Sequence, residues 1–361
     1  MTLVDELKAI RDRKPSDIVP MEAIPCRETS DTERLCPHPV VSVIMVTYNH
    51  EPYIREAIES VLMQKTDFEV ELIIGEDCSQ DRTREICFDY QRRYPEKIRV
   101  LWSDENVYKI SGHERRCIYK ARGDYLAFCE GDDYWTDPLK LQKQVDLIRA
   151  KNAVMCVAFT DWVYGDGRVK HSTYEPKEFI SFEDLTRHYF HTTTYVADRN
   201  TFRDMQQRYR CIASWSDLAV EFCMISMGKI CLLPEMVSVY RWSGGGVASS
   251  LGEVSSNCSA MLMFYDLFLH GPSQGQWFFA ARALQGVDWL FVVNRRYRPA
   301  LVETWMVEEL KAAHRFLVGA FKGVIDLTRA HGCVYCLNVW YYQIRVMLVK
   351  CGLGCFFKNI P

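Results

Sequence analysis

Four consecutive residues, Glu130-Gly131-Asp132-Asp133, put three carboxylates into one short segment. Like charges held so close repel unless a proton or a cation intervenes. A divalent metal meets that demand, since Mg2+ or Mn2+ takes oxygen ligands, commonly one or two carboxylates together with phosphate oxygens and water. Asp132 is the first ligand expected and Asp133 the second. The competing reading is an acidic turn capping the next helix, with Asp137 before Pro138 as a natural N-cap. Two further polar segments, Thr47-Tyr48-Asn49 and Glu76-Asp77, carry hydrogen-bonding side chains, and an aspartate stands in Trp215-Ser216-Asp217-Leu218. A positioned carboxylate can take the proton of an attacking hydroxyl as general base. At the start of a helix it can equally be an N-cap.

The elements that must hold these residues are read from apolar periodicity. VVSVIMVTYN (40–49) reads as a strand, and Ile54, Ala57, Ile58, Val61 and Leu62 then recur at helical spacing behind Pro52. The order repeats with VELIIGED (70–77), a helix whose face carries Ile86, Cys87, Tyr90 and Tyr94, and the strand IRVLWS (98–103). DYLAFCE (124–130) is a fourth strand, and the helix after Pro138 places Leu141, Val145 and Ile148 on one side. Strands alternating with helices predict an α/β fold, Rossmann-like, with a mainly parallel central sheet flanked by helices. In such sheets ligands bind beyond the carboxyl ends of the strands, near the switch in strand order. Thr47-Tyr48-Asn49, Glu76-Asp77 and Glu130-Gly131-Asp132-Asp133 each stand where an apolar strand runs out, so they are expected to line one crevice.

Later segments read as a strand at MCVAFTDW (155–162), a helix from about Asp217 and a strand around Val237-Ser238-Val239-Tyr240. From about Ser255 helical patterns dominate, with Met306, Leu310, Ala313, Leu317, Ala320 and Val324 on one face. The expected division is an N-terminal extension at 1–38, a catalytic domain at 39–250 and a C-terminal helical region at 251–361. Leu337, Trp340, Tyr341, Ile344 and Leu348, flanked by Arg345, Lys350 and Lys358, form an apolar face with basic flanks that would either lie on a membrane surface or pack on the protein.

Composition narrows the function classes. A net charge of −3 offers no basic field for phosphate neutralisation, so no nucleic-acid partner is expected. MTLVDELKAIRDRK has no apolar core run, which predicts a cytoplasmic protein, at most at the cytoplasmic face of the membrane. Fifteen scattered cysteines read as reduced thiols, and the CxxC of Cys333 and Cys336 as buried packing.

Several of these segments stand in an order that resembles the family-2 glycosyltransferases over roughly residues 40–250. VVSVIMVTYNH resembles that family's first strand, and Glu76-Asp77-Cys78-Ser79-Gln80-Asp81-Arg82-Thr83 its acidic D-D-x-S-x-D-x-T segment. Ala121-Arg122-Gly123-Asp124-Tyr125, then Glu130-Gly131-Asp132-Asp133-Tyr134-Trp135, resembles the approach to its metal motif. The resemblance implies a glycosyltransferase A-type fold and transfer from a nucleotide-diphosphate sugar to a saccharide or lipid-linked acceptor. A setting in bacterial surface polysaccharide or glycolipid assembly is implied with it. It would put Thr47, Tyr48, Asn49, Glu76, Asp77, Arg115, Glu130, Gly131 and Arg241 around the donor, Asp132 and Asp133 on the metal, and Asp217 as catalytic base. Asp77 would accept from a ring N–H of the base, the alternative being a helix-capping turn acid. Glu221 and Glu235 stand in reserve for Asp217. Attack opposite the departing diphosphate predicts inversion at the anomeric carbon.

Tyr240-Arg241-Trp242-Ser243-Gly244-Gly245-Gly246 resembles the family's closing loop, yet Ser243 stands where a histidine is expected, which puts a histidine ligand from this loop in doubt. The glycines read as a lid or as a plain turn. In Glu114-Arg115-Arg116-Cys117 either arginine could serve the donor, or both could be solvated helix charges. His191-Thr192-Thr193-Thr194 falls where acceptor-side residues are expected. A catalytically silent relative that binds nucleotide sugar, or a membrane-associated scaffold, is the alternative function.

Overall fold

The structure is a computed structural model that describes residues 2–110, 112–213, 215–242, 253–276, 278–286 and 304–321. Its strands are β1 (Arg27–Thr29), β2 (Val41–Thr47), β3 (Val70–Glu76), β4 (Ile98–Trp102), β5 (Tyr125–Phe128), β6 (Tyr134–Trp135), β7 (Met155–Tyr164), β8 (Val169–Ser172), β9 (Phe179–Ile180), β10 (Val196–Asp198) and β11 (Ile230–Trp242). The helices are α1 (Leu3–Asp12), α2 (Ile54–Leu62), α3 (Thr83–Arg93), α4 (Gly112–Lys120), α5 (Lys140–Lys151), α6 (Phe182–Leu185), α7 (Arg199–Arg208), α8 (Asp217–Ile225), α9 (Glu253–His270) and α10 (Thr304–Ala320). Two compact units emerge, one of residues 15–210 with 216–246, the other of residues 1–14, 211–215 and 247–361.

The first unit is built on a mixed sheet in the order β1-β4-β3-β2-β5-β10-β7-β11-β6. Its centre is parallel: β2 pairs β3 in the register Val41↔Val70 to Thr47↔Glu76, and pairs β5 on its other edge. These strands are near-continuous apolar runs because both faces are covered. Val41, Val43, Met45, Leu72, Ile74, Ile98 and Val100 share one core with Ile54, Ala57 and Ile58 of α2, Ile86 and Tyr90 of α3, and Leu141, Val145 and Ile148 of α5. The chain runs β2-β3-β4 in one direction and then returns to add β5 beside β2, so the strand order reverses between β2 and β5. That reversal creates the crevice in which ligands of such sheets bind.

The expected boundary at Pro39 differs from what the sheet shows. β1 adds Arg27–Thr29 antiparallel to β4, and Ile24 and Leu35 are buried, so residues 15–38 are part of this unit. Three-residue strands and isolated apolar residues between prolines carry too little periodicity to be read from sequence.

In the other unit α1 is closed by a capping box, Thr2 Oγ1 accepting from Asp5 N at 3.2 Å and Asp5 Oδ2 from Thr2 N at 3.1 Å. Its inward face carries Leu7 and Ile10, and α1 packs on α9 and α10. Ala313 and Leu317 are buried on α10 as the periodicity predicts, whereas Ala320 is exposed and Phe321 takes the next inward place. No helix among the described residues is long and apolar enough to cross a membrane. Cys333, Cys336 and the apolar face at Leu337–Leu348 lie outside the described residues, as do Ser243 and the three glycines after it.

Candidate active site

The ends of β2, β3 and β5 meet at the reversal in strand order. Asp77 N donates to Thr47 O at 3.0 Å, and Gly131 N donates to Val46 O at 2.9 Å. Gly131 is required there, because a Cβ would stand 2.6 Å from Thr47 Oγ1 and 3.0 Å from His50 Nδ1. Thr47 is buried and its Oγ1 has no hydrogen-bond partner, while Tyr48 is 44% exposed at the rim. Asn49 sits at a φ of 55°, a left-handed conformation that asparagine tolerates, and its Oδ1 accepts from Gln80 N at 2.7 Å. That bond ties the loop after β2 to the loop after β3.

On the β3 side the acids are paired. Glu76 accepts from Ser79 N at 2.6 Å and forms an ion pair with Arg84. Asp77 Oδ1 accepts from Val107 N at 2.8 Å, with Arg116 Nη2 at 4.0 Å. At the turn into α3 it is Asp81, not Asp77, whose Oδ1 accepts from Thr83 N, at 2.9 Å. Arg115, the arginine expected near the donor, instead donates to the Val19 carbonyl at 3.1 Å. Arg116 is the residue that reaches this strand end, 2% exposed and donating to Glu76 O at 2.6 Å. Helical spacing carries the signal, since His113, Arg116 and Cys117 fall at i, i+3 and i+4 on one face and Arg115 does not.

On the β5 side the acids lack such partners. Asp133, 1% exposed, accepts among the described residues only from Arg241 N, at 2.8 Å through Oδ1; burial, aided by Asp132 and Glu130, holds its carboxyl well above the usual range. Glu130 Oε1 accepts from Thr192 Oγ1 at 2.6 Å, but Oε2 is buried without a partner, and burial raises this carboxyl as well. Ligand atoms of Glu130, Asp133 and His191 all lie within 4.8 Å of one another. Two carboxylates and an imidazole, one oxygen orphaned, fit a divalent cation. Asp132, expected as the first ligand, stands outside this trio and faces His50, Nε2 to Oδ2 3.7 Å.

Histidine at this centre thus comes from the 191–194 segment. His191 caps the 3-10 turn Thr192–Thr194, packs on Tyr240 with centroids 4.0 Å apart, and lies between two acids: Nδ1 is 3.9 Å from Asp133 Oδ2 and Nε2 is 3.9 Å from Asp217 Oδ2. Burial lowers its basicity, against the pull of Glu130 and Asp132. A separation of 58 residues between Asp133 and His191 leaves no local pattern by which sequence could pair them.

Asp217 is the first residue of α8, and the N-cap is Ser216, whose Oγ accepts from Ala219 N at 3.3 Å. The capping reading of Asp217 therefore falls away. Its Oδ2 accepts from Thr192 N at 3.2 Å, and burial pushes its pKa up to about 6. Of the reserve acids, Glu221 is fully buried and accepts from Phe190 N at 2.7 Å and Tyr195 OH at 2.9 Å, a structural post. Glu235 is exposed and paired to Lys143 at 2.6 Å, away from this cluster's bonds. Arg241 spans the metal-motif loop, Nη1 donating to Asp132 O at 2.6 Å and its guanidinium lying 4.3 Å from the Tyr134 ring centre.

Residues 42–207 match the family model described as Glycosyl transferase family 2. An uncharacterized protein of Mycobacterium tuberculosis is 34% identical over 220 residues, 57% of this chain and 60% of that protein. The chain thus spans three fifths of the length of that relative. The putative teichuronic acid biosynthesis glycosyltransferase TuaG of Bacillus subtilis is 27% identical over 214 residues, 59% of this chain and 82% of TuaG. Among solved structures, S. aureus TarS 1–349 in complex with UDP-GlcNAc superposes with a TM-score of 0.60 at 17% identity, covering 87% of this chain and 88% of that one, a likeness of fold.

Proposed function

Because residues 42–207 match the family model described as Glycosyl transferase family 2, we propose that the chain transfers a sugar from a nucleotide-diphosphate donor to a hydroxyl acceptor with inversion, in surface polysaccharide or glycolipid assembly, in the cytoplasm or at the cytoplasmic face of the membrane. One observation carries this reading: Thr192 joins the metal-motif acid to the base, its Oγ1 on Glu130 at 2.6 Å and its N–H on Asp217 at 3.2 Å. The acid cluster and the base are therefore held in fixed relation by a single residue.

Thr47, Asn49 and Asp77 receive the nucleoside, with Asp77 turned to a ring N–H of the base and Arg116 holding the strand end behind it. Glu130, Asp133 and His191 are the residues that would hold Mg2+ or Mn2+. Such an ion, when bound, neutralises charge on the departing diphosphate. Arg241 adds positive charge at the same loop. Asp217 takes the proton of the acceptor hydroxyl, whose oxygen bonds to the anomeric carbon while the bond to the diphosphate breaks and its electron pair leaves with the nucleotide. One displacement with no covalent sugar-enzyme species gives inversion. A base near its ordinary ionisation at working pH is the most effective kind, and burial has raised Asp217 toward that range.

Calorimetric titration with UDP, GDP, dTDP and CDP, each with Mn2+ and with EDTA, tests the reading. One nucleotide is expected to bind in Mn2+, and at least tenfold more weakly in EDTA or in the Asp133→Ala variant. Binding of none would overturn it in favour of the silent scaffold.

A further inference from the structure

Past the base, the sheet continues as a row of aromatic rings. β7 and β11 run parallel with Thr160 opposite Ser238, Trp162 opposite Tyr240 and Tyr164 opposite Trp242, and alternation puts all six side chains on one face. The first pair is buried and polar, Ser238 Oγ to Thr160 Oγ1 2.9 Å. The next two pairs are aromatic and only half-buried. Trp162 meets Tyr240 edge-on at 4.8 Å between centroids and stacks near Trp242 at 5.8 Å with planes 21° apart. The row begins at the catalytic centre, since Tyr240 packs on His191 at 4.0 Å and His191 reaches Asp217.

A core function does not account for these rings. Cys156 and Ala158 lower on the same face of β7 are fully buried, so the core ends before Trp162. Large aromatics left half-exposed in one contiguous patch mark a binding surface. Flat rings beside a proton acceptor suit a ligand with an apolar face and hydroxyl edges, which is the shape of a pyranose. A lipid chain would favour an enclosed apolar groove, but Lys170, opposite Trp162 on β8, brings its ammonium to 5.4 Å from that ring.

We propose that Trp162, Tyr240 and Trp242 are the acceptor subsite, and that the acceptor is a saccharide whose ring lies on this ledge with a hydroxyl directed to Asp217. The proposal rests on the transferase reading above. Its test uses the full chain and the donor of whichever nucleotide binds, with nucleotide release followed on addition of methyl and octyl glycosides of glucose, galactose, mannose, rhamnose and N-acetylglucosamine, and n-octanol as the sugar-free control. At least one glycoside is expected to speed release, and Trp242→Ala, at the strand end, to raise its KM tenfold or more with nucleotide affinity kept within twofold. Trp242→Phe should recover most of the loss. A preference for octyl over methyl glycosides identifies a lipid-linked sugar, and equal response a free one. Stimulation by n-octanol alone, by no glycoside, or equally in Trp242→Ala overturns the subsite. Failure of nucleotide binding would instead remove the transferase reading itself.

Discussion

Two groups of acids, buried or half-buried, lie toward opposite ends of the parallel strands and are treated in opposite ways. At the amino ends, Glu71 is 1% exposed and saturated: Oε1 accepts from Ser42 Oγ at 2.6 Å and Arg122 N at 2.8 Å, and Oε2 from Arg122 Nη2 at 2.7 Å and Arg99 Nη1 at 3.1 Å. Burial alone would raise this carboxyl, yet the bonds from Ser42 and Arg122 and the charge of Arg99 bring it below its ordinary value. Toward the carboxyl ends, Glu130 and Asp133, with Asp217 of α8 beside them, are raised by desolvation with few bonds to offset it. Glu114 on α4 belongs with them, pushed by burial up to about 7 with Glu130 and Asp217 adding to the shift. Buried carboxylates that the protein has paired hold the sheet together. For the acids left short of partners around the ends of β2 and β5, we propose that an outside cation, or a proton from a substrate, completes the arrangement.

The sharpest way to break this comparison is to remove the proposed base, Asp217. Asp217→Asn keeps the shape and the Thr192 contact but cannot take a proton, so transfer should fall by about 10²–10⁴-fold with nucleotide affinity unchanged. Wild-type turnover should fall as pH drops through about 6, because a raised pKa leaves Asp217 protonated and unable to act below that value. Turnover in the variant close to wild type would transfer the role to another acid.

Next in size is the paired group. Glu71→Ala leaves Arg99, itself 5% exposed, and Arg122 without their shared carboxylate, which costs about 3–5 kcal/mol by urea unfolding at pH 7. The sign in pH follows from the lowered folded-state value: the contribution is present above the ordinary 4.5 and is lost as pH falls through the folded value, so wild type and variant should converge in acid. A loss under 1 kcal/mol would make the network ornamental.

What sequence could see follows the same division. Strands β2, β3, β4, β5 and β7 stand within a few residues of the apolar runs that predict them, because a strand buried on both faces writes itself as a continuous run. The edge pieces β1, β6, β8 and β9 have no such run, since partner strands and not composition define them. For the site, strand-end position was enough to gather Thr47, Asp77 and the 130–133 acids, a matter of topology that alternation encodes. The position of His191 between Asp133 and Asp217, and the choice of Arg116 over Arg115, depend on long-range packing. His50 was legible in principle, being the residue directly after Asn49 at the end of β2, but nothing local pairs it with Asp132.

The smallest expected effect probes whether the rule extends to cations. Lys140 is fully buried at the start of α5, its Nζ without a hydrogen-bond partner and 4.2 Å from the Trp135 ring centre. Burial lowers its pKa to about 7. Between that value and its ordinary 10.5 the unfolded chain binds more protons than the folded one, so this residue makes stability rise with pH across the window and costs most near or below neutrality. Lys140→Met fills a similar volume without the unmet donor. It should stabilise the fold by about 1–3 kcal/mol at pH 7, an advantage that shrinks toward pH 10. Destabilisation at pH 7 would show that the Trp135 face alone compensates a buried ammonium. Lack of partners would then cease to distinguish a functional group from a structural one in this protein, and the unpaired acids at the strand ends would need the metal titration to set them apart.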